Sequence, residues 1–427
     1  MRVRFVTLGC KVNTYESEAV WELLEKDGYE RCDRGKADVY IVNTCMVTRT
    51  AEQKSRQQIH HLNRENNEAA IVVMGCLSAL KEDEIATTHG VVITIGTKDR
   101  NKIPGLLKNY FEDKKKYRAP KEDLQPLAYD NLSLSKFQSH QRAFLKIEDG
   151  CDNFCSYCII PYTRGRVHSK PREMVLEEAS LLAMTHSEIV LTGIHTGGYG
   201  KDLNGYNFND LLRDLDRIPG LKRVRISAIE ISELTMEVIE TIKNSKKIVP
   251  HLHVPLQSGS DKILKLMNRH YDKEAYLAKI NELKANLPNL ALTTDVIVGF
   301  PGETETDFSE TLKLIETIGF NELHVFPYSK RTMTAAALFS GEIQGPIKKE
   351  RAKRLIDLGT KLAKEKIKEK EGQFLNVIAE QKKDGFLDGH SEEYIHVRFQ
   401  GSDTLIGTVV KVKLIKEDYP LSYGEIA

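Results

Sequence analysis

The chain has no uninterrupted apolar run near the ~20 residues that a helical membrane span requires, which argues against a membrane protein of that kind. It also lacks an excess of either charge. Against 62 Lys and Arg stand 61 Asp and Glu, a net charge of +1, so no whole-chain field draws it to nucleic acid. Contact with RNA must then come from local basic patches. Cysteines are few and odd in number, seven in 427 residues. A disulfide framework is therefore disfavoured, and metal or redox chemistry in a reducing compartment is the better reading. The opening residues MRVRFVTLG show none of the charged, apolar and small-residue blocks of an export signal. A cytoplasmic protein is expected, with neither membrane nor DNA as a partner.

A hydrophobic content of 41% and a charged content of 29% fit a globular protein, and the length calls for two or three domains. Residues 1–111 alternate strands (VRFVTLG, ADVYIVNT, AAIVVMG, VVITIG) with helical segments, one of them at 17–26, as in a doubly wound α/β domain. Polar residues 112–140 break the pattern and read as a linker. Residues 141–345 hold six further strands, AFLKIED, EIVLTG, RVRISAIE, HLHVPLQ, LTTDVIVGF and ELHVFPYS, each leading to a helical stretch. This predicts an incomplete (β/α)6 barrel with its functional groups at the C-terminal ends of the strands. A charged helix is expected at 346–370, either a basic surface or an exposed connector. Short alternating strands at 371–427 predict a small all-β barrel.

Cys151, Cys155 and Cys158 form CxxxCxxC directly after the first barrel strand, so one loop gathers three thiols around a point. Iron-sulfur clusters are held by such thiolates. Zinc remains an alternative if His168 supplies a fourth ligand. Cys10, Cys45 and Cys76 are far apart in sequence, but each follows a strand, in VTLGC, YIVNTC and VVMGC. The loops after parallel strands share one edge of an open sheet, so these three should converge. Three buried packing cysteines are the plainer alternative. Cys32 has no such context and reads as a packing residue.

The motifs LGCKVNTYESE at 8–18, VNTCMVTRTAEQKSRQ at 42–57, GCDNFCSYCIIPYTRGR at 150–166, PLQSGSD at 255–261 and TDVIVGFPGETETDF at 294–308 together resemble the radical S-adenosylmethionine (SAM) methylthiotransferases. The resemblance covers the whole chain, and the LGCKVNTYE form is similar to the branch acting on N6-threonylcarbamoyladenosine in tRNA. It implies two [4Fe-4S] clusters, with SAM as both methyl donor and radical source, and a C-terminal RNA-binding barrel of the TRAM type. By this resemblance Cys151, Cys155 and Cys158 hold the cluster that cleaves SAM. Cys10, Cys45 and Cys76 hold an auxiliary cluster that delivers sulfur. It further implies SAM contacts by Thr192 and Gly193, polar contacts to SAM or substrate by Glu230 and Gln257, and adenine contacts by Val298, Gly299 and Phe300, with fold support the other role open to Phe300. An electron donor and a sulfur source are implied as partners besides tRNA. Met333 stands where this family commonly has glycine, and a side chain there disfavours positive φ, so the loop conformation is left open.

Basic residues flank both cysteine sites: Arg49, Lys54 and Arg56 after Cys45, and Arg164, Arg166 and Lys170 after Cys158. They are candidates for phosphate contacts, with a solvated surface as the plainer role. The last domain carries more acids than Lys and Arg, although Tyr394 and Phe399 could stack on bases. Three functions stay open: methylthiotransfer to a tRNA adenosine, the same chemistry on isopentenyladenosine or a ribosomal-protein aspartate, and a non-catalytic iron-sulfur RNA-binding protein.

Overall fold

A computed structural model of the protein describes residues 1–119, 129–130 and 132–427. The first domain is a wholly parallel sheet in the order Glu30–Arg31, Arg2–Thr7, Val39–Thr44, Ala70–Gly75, Val91–Thr94 and Tyr117–Arg118. Every residue of Val39–Thr44 and Ala70–Gly75 is buried, as both faces of the sheet are covered by helices. Helix Lys11–Lys26 begins earlier than the expected 17–26 because Cys10, in extended backbone, ends the loop and serves as its N-cap. Helix Arg49–Glu65 is capped by Thr48, whose hydroxyl accepts from the Ala51 N–H at 3.1 Å.

Part of the stretch read as a linker, residues 120–128 and 131, lies outside the described residues. Beyond it, the chain at 132–140 is bound to the first domain rather than free. Leu132, Leu134 and Phe137 are buried, the Ser135 N–H donates to Glu22 at 2.8 Å, and the Gln138 N–H donates to Glu18 at 3.1 Å.

The second domain holds six parallel strands in two sheets. One has Arg142–Lys146, Glu188–Thr192 and Arg223–Ile226; the other has His251–His253, Ala291–Val298 and Glu322–Pro327. Bridges between Val224 and Ile248 and between Ala228 and His253 join them into a partial barrel. Inward positions alternate with outward ones. Helix Gly345–Lys368 is no exposed connector: Leu355, Gly359, Leu362 and Ala363 are buried, and Gly359 lies against Leu323 of the barrel's last strand. Five strands between Phe374 and Ile426 close into a small separate barrel. Arg223 and Arg225 dock it by donating at 2.9 Å to the carbonyls of Asn376 and Glu392. Among the described residues no helix is long and apolar enough to cross a membrane.

Candidate active site

Three strand ends deliver the first cysteine group. Cys10 caps helix Lys11–Lys26, Cys45 follows Val39–Thr44, and Cys76 opens helix Cys76–Ala86. Gly9, at φ +115°, lets the loop close on Cys45, whose Cβ lies 3.0 Å from the point where a side chain at position 9 would begin. The three thiols act on one another electrostatically. Burial pushes Cys45 up to about 11 and raises Cys76, against the pull of Arg164. Without metal these buried thiols stay protonated, and metal binding must release their protons.

Cys151, Cys155 and Cys158 form the second group. Burial raises Cys151 and pushes Cys158 up to about 12. Arg269 donates to Cys155 Sγ at 3.3 Å and pairs with Glu230. Around one zinc, at Zn–S about 2.3 Å, three thiolates would crowd within about 4 Å of each other. Among the described residues, the group of three ligand atoms within 4.8 Å of one another is His253, Asp295 and His324, and neither cysteine triplet is drawn that tight. His168, the alternative zinc ligand, has its Nδ1 2.9 Å from the Arg166 carbonyl. Three cysteine thiols at each site are the kind of donors that iron-sulfur clusters take.

Two cavities adjoin these groups. One, of about 230 Å³, is lined by Tyr157, Cys158, Gln257, Asp295, Ile297 and Phe326, among others. The other, of about 530 Å³, runs down the barrel lumen from Cys10, Lys11, Thr192 and Gly193 at the strands' C-terminal ends to His251 and Tyr394. Asp295 and Phe326 line both. The Glu148 carboxylate takes the space that a Cβ at Gly193 would fill. Its Oε2 is buried without a hydrogen-bond partner, and burial together with Asp149 holds it well above the usual carboxylate range. This polar cradle beside Cys151 is suited to a ligand with an amino group.

Residues 2–96 match the uncharacterized protein family UPF0004, and residues 145–315 match the Radical SAM superfamily. The chain is 46% identical to the threonylcarbamoyladenosine tRNA methylthiotransferase MtaB of Bacillus subtilis (strain 168), over 99% of this chain and 96% of that protein. The chain belongs to the radical SAM methylthiotransferase family. It is also 35% identical to the tRNA-2-methylthio-N(6)-dimethylallyladenosine synthase of Natranaerobius thermophilus, over 99% and 96% of the two chains. In fold it is similar to the radical SAM methyltransferase TsrM of Kitasatospora setae, with a TM-score of 0.58 at 13% identity, covering 79% of this chain and 77% of that one.

In this methylthiotransferase several residues expected at the site lie elsewhere. Arg164 and Lys170, read from sequence as RNA contacts, are buried at 1% and 0% exposure. Arg164 donates to Glu16 at 2.8 Å and Asp149 at 2.9 Å, and Lys170 pairs with Glu178. Lys146 and Arg100 also hold Glu16, at 2.9 and 2.6 Å. Burial pushes the Glu16 carboxyl up, but Arg100, Arg164 and Lys146 together hold it well below the carboxylate range. These buried pairs fasten the two cysteine domains together. Arg56 is half-buried between Glu52 and Glu84, whereas Arg49, Lys54 and Arg166 are exposed.

Val298 and Phe300 point away from the cavities into the core, Phe300 packing against Tyr328 and Phe339, and the Gly299 N–H donates to Glu303 at 2.7 Å. The alternation along Ala291–Val298 turns Asp295 and Ile297 inward instead. Glu230 meets Arg269 rather than open space, while Gln257, Thr192 and Gly193 line cavities. Phe399 is core and Tyr394 closes the base of the lumen. Met333 is exposed and has no positive φ, so its side chain causes no strain.

Proposed function

We propose that this enzyme attaches a methylthio group to carbon 2 of N6-threonylcarbamoyladenosine beside the tRNA anticodon. The observation that carries this reading is the meeting of two cysteine triplets at adjoining cavities: Cys10 lines the lumen, Cys158 lines its neighbour, and Asp295 and Phe326 line both. Substitution at an unactivated aromatic carbon needs hydrogen removed and sulfur delivered at one place. When bound, SAM and two clusters supply the radical, the sulfur and the methyl group.

The chain's own residues do the rest. Cys151, Cys155 and Cys158 hold one cluster beside Thr192, Gly193 and Glu148, which bind the amino-acid end of SAM. Cys10, Cys45 and Cys76 hold the other, with Arg164 beside Cys76 balancing its negative charge. Arg49, Lys54 and Arg166 lie at the surface near these loops and hold phosphates, with the closed C-terminal barrel acting as a TRAM-type RNA grip. Domains at 1–111, 141–345 and 371–427 divide the work, in a cytoplasmic enzyme fed by an electron donor and a sulfur source. The substrate branch is supported by the 46% relative named for threonylcarbamoyladenosine.

The test offers anaerobically reconstituted enzyme, with SAM, reductant and sulfide, tRNA that carries or lacks the threonylcarbamoyl group. Only the first should gain a methylthio group by nucleoside mass spectrometry. Equal modification of both would refute the branch, and modification only of isopentenyladenosine or of a ribosomal protein would move the enzyme to a sister branch.

A further inference from the structure

A parallel (β/α) barrel ordinarily fills its lumen with bulky apolar side chains. Here many of the inward positions are polar. The alternation places Arg225 and Ser227, His251 and His253, Thr293 and Asp295, and Glu322 and His324 on the lumen wall, together with the apolar Phe326. Such a lumen is a binding channel rather than a core.

Its charges are nearly all matched internally. Arg225 pairs with Glu188 at 2.7 Å, and His324 with Asp295 at 3.2 Å and Glu322 at 3.6 Å. Lys11 differs: among the described residues its ammonium makes no hydrogen bond or ion pair, and it stands in the field of Arg142 and Arg225, with Glu188 beyond pairing distance. A second group is also left open. His251 is 5% exposed, its Nε2 lies 3.3 Å from the Thr293 hydroxyl, and its Nδ1 has no partner. An unmatched cation and an open imidazole nitrogen in one channel are the complement of an anion that also hydrogen-bonds.

We propose that the lumen receives the substituent on N6 of the substrate adenosine, with Lys11 pairing with its threonyl carboxylate and His251 Nδ1 hydrogen-bonding its polar atoms. The assignment rests on the threonylcarbamoyladenosine reading above. Carbons 2 and 6 of adenine flank N1, so the residue that grips an N6 substituent must stand close to the centre acting on carbon 2. Lys11 directly follows Cys10. The isopentenyl group of the sister substrates is uncharged and offers Lys11 nothing.

The test uses full-length reconstituted enzyme and two anticodon stem-loop RNAs, one with the free threonyl carboxylate and one with that carboxylate capped as its methyl amide. Parental enzyme should favour the acid by about tenfold to a hundredfold in kcat/KM, the worth of a hydrogen bond to a charged group. Lys11→Met should bring the ratio near one by losing rate on the acid alone, and Lys11→Arg should keep most of the preference. His251→Phe should raise KM for both RNAs. Iron content and SAM cleavage, read on the same preparations, show whether each variant has folded with its clusters. No preference in the parental enzyme, or equal loss on both RNAs in Lys11→Met, would overturn this proposal while leaving the substrate reading intact. Failure of the parental enzyme to modify either RNA would overturn both.

Discussion

Cys151, Cys155 and Cys158 occupy eight consecutive positions of one loop, whereas Cys10, Cys45 and Cys76 come from three strand ends more than thirty residues apart. The loop triplet needs only a turn to bring its thiols together. The dispersed triplet exists only once the sheet has formed and Gly9 has let its loop close on Cys45. A further difference lies in what surrounds them: Arg269 reaches Cys155 from the barrel, while Arg164, from the barrel, reaches the Cys76 site of the other domain. The dispersed site is thus completed by its neighbour, and the loop site is built within its own domain.

The sharpest way to break this comparison is to remove the loop triplet. Replacing Cys151, Cys155 and Cys158 by Ala should abolish reductive SAM cleavage and cut iron from about eight to about four per chain. Unchanged iron, or zinc in its place, would contradict the assignment. A smaller but still large effect belongs to the network between the domains. Arg164→Met leaves Glu16 and Asp149 short of a buried partner and should cost about 3–5 kcal/mol in denaturant unfolding. The salt dependence of tRNA binding should not change, since this guanidinium never meets solvent; a flattened salt slope with intact stability would return Arg164 to the RNA surface.

Next comes the lumen, which Cys10 lines and which shares Asp295 and Phe326 with the cavity beside Cys158. Hydrogen bonds to Asp295 and Glu322 raise His324 from the ordinary 6.5 to about 9. A histidine raised on folding contributes stability that is whole below about pH 6.5 and is lost as pH rises through about 9. His324→Gln should therefore flatten the fall in unfolding free energy between those values; an unchanged pH profile would mean that the imidazole is not held as a cation. The smallest effect is at the surface, where Lys54→Ala should lower the slope of log K against log salt by about 0.9 or less for tRNA binding, with SAM cleavage untouched.

Much of this was legible in the residues. A cysteine after each of three parallel strands predicts convergence, and CxxxCxxC needs no fold to be seen. The polar lumen was also written out, in RVRIS, HLHV and ELHVF, where charged or polar residues alternate with Val, Leu and Ile. Strand periodicity there was plain, but which phase faces the lumen depends on closing the barrel. Arg164 and Lys170 misled for a physical reason. A basic run looks the same whether it meets water or the carboxylates of Glu16, Asp149 and Glu178, the first of them far away in sequence, and only packing decides. The alternation that turns Asp295 and Ile297 inward sends the Val298 side chain into the core, and Phe300, past the strand's end, packs on Tyr328 and Phe339.

The division of labour between the triplets is tested most directly by a single variant, Cys45→Ala, assayed for two products at once. Reconstituted variant and parental enzyme would be given SAM, reductant, sulfide and threonylcarbamoylated tRNA, with SAM cleavage followed by chromatography and nucleosides by mass spectrometry. The account predicts that Cys45→Ala still cleaves SAM but forms no methylthio nucleoside. Methylthio product at the parental rate, or loss of SAM cleavage from a variant that keeps its loop-held cluster, would contradict it.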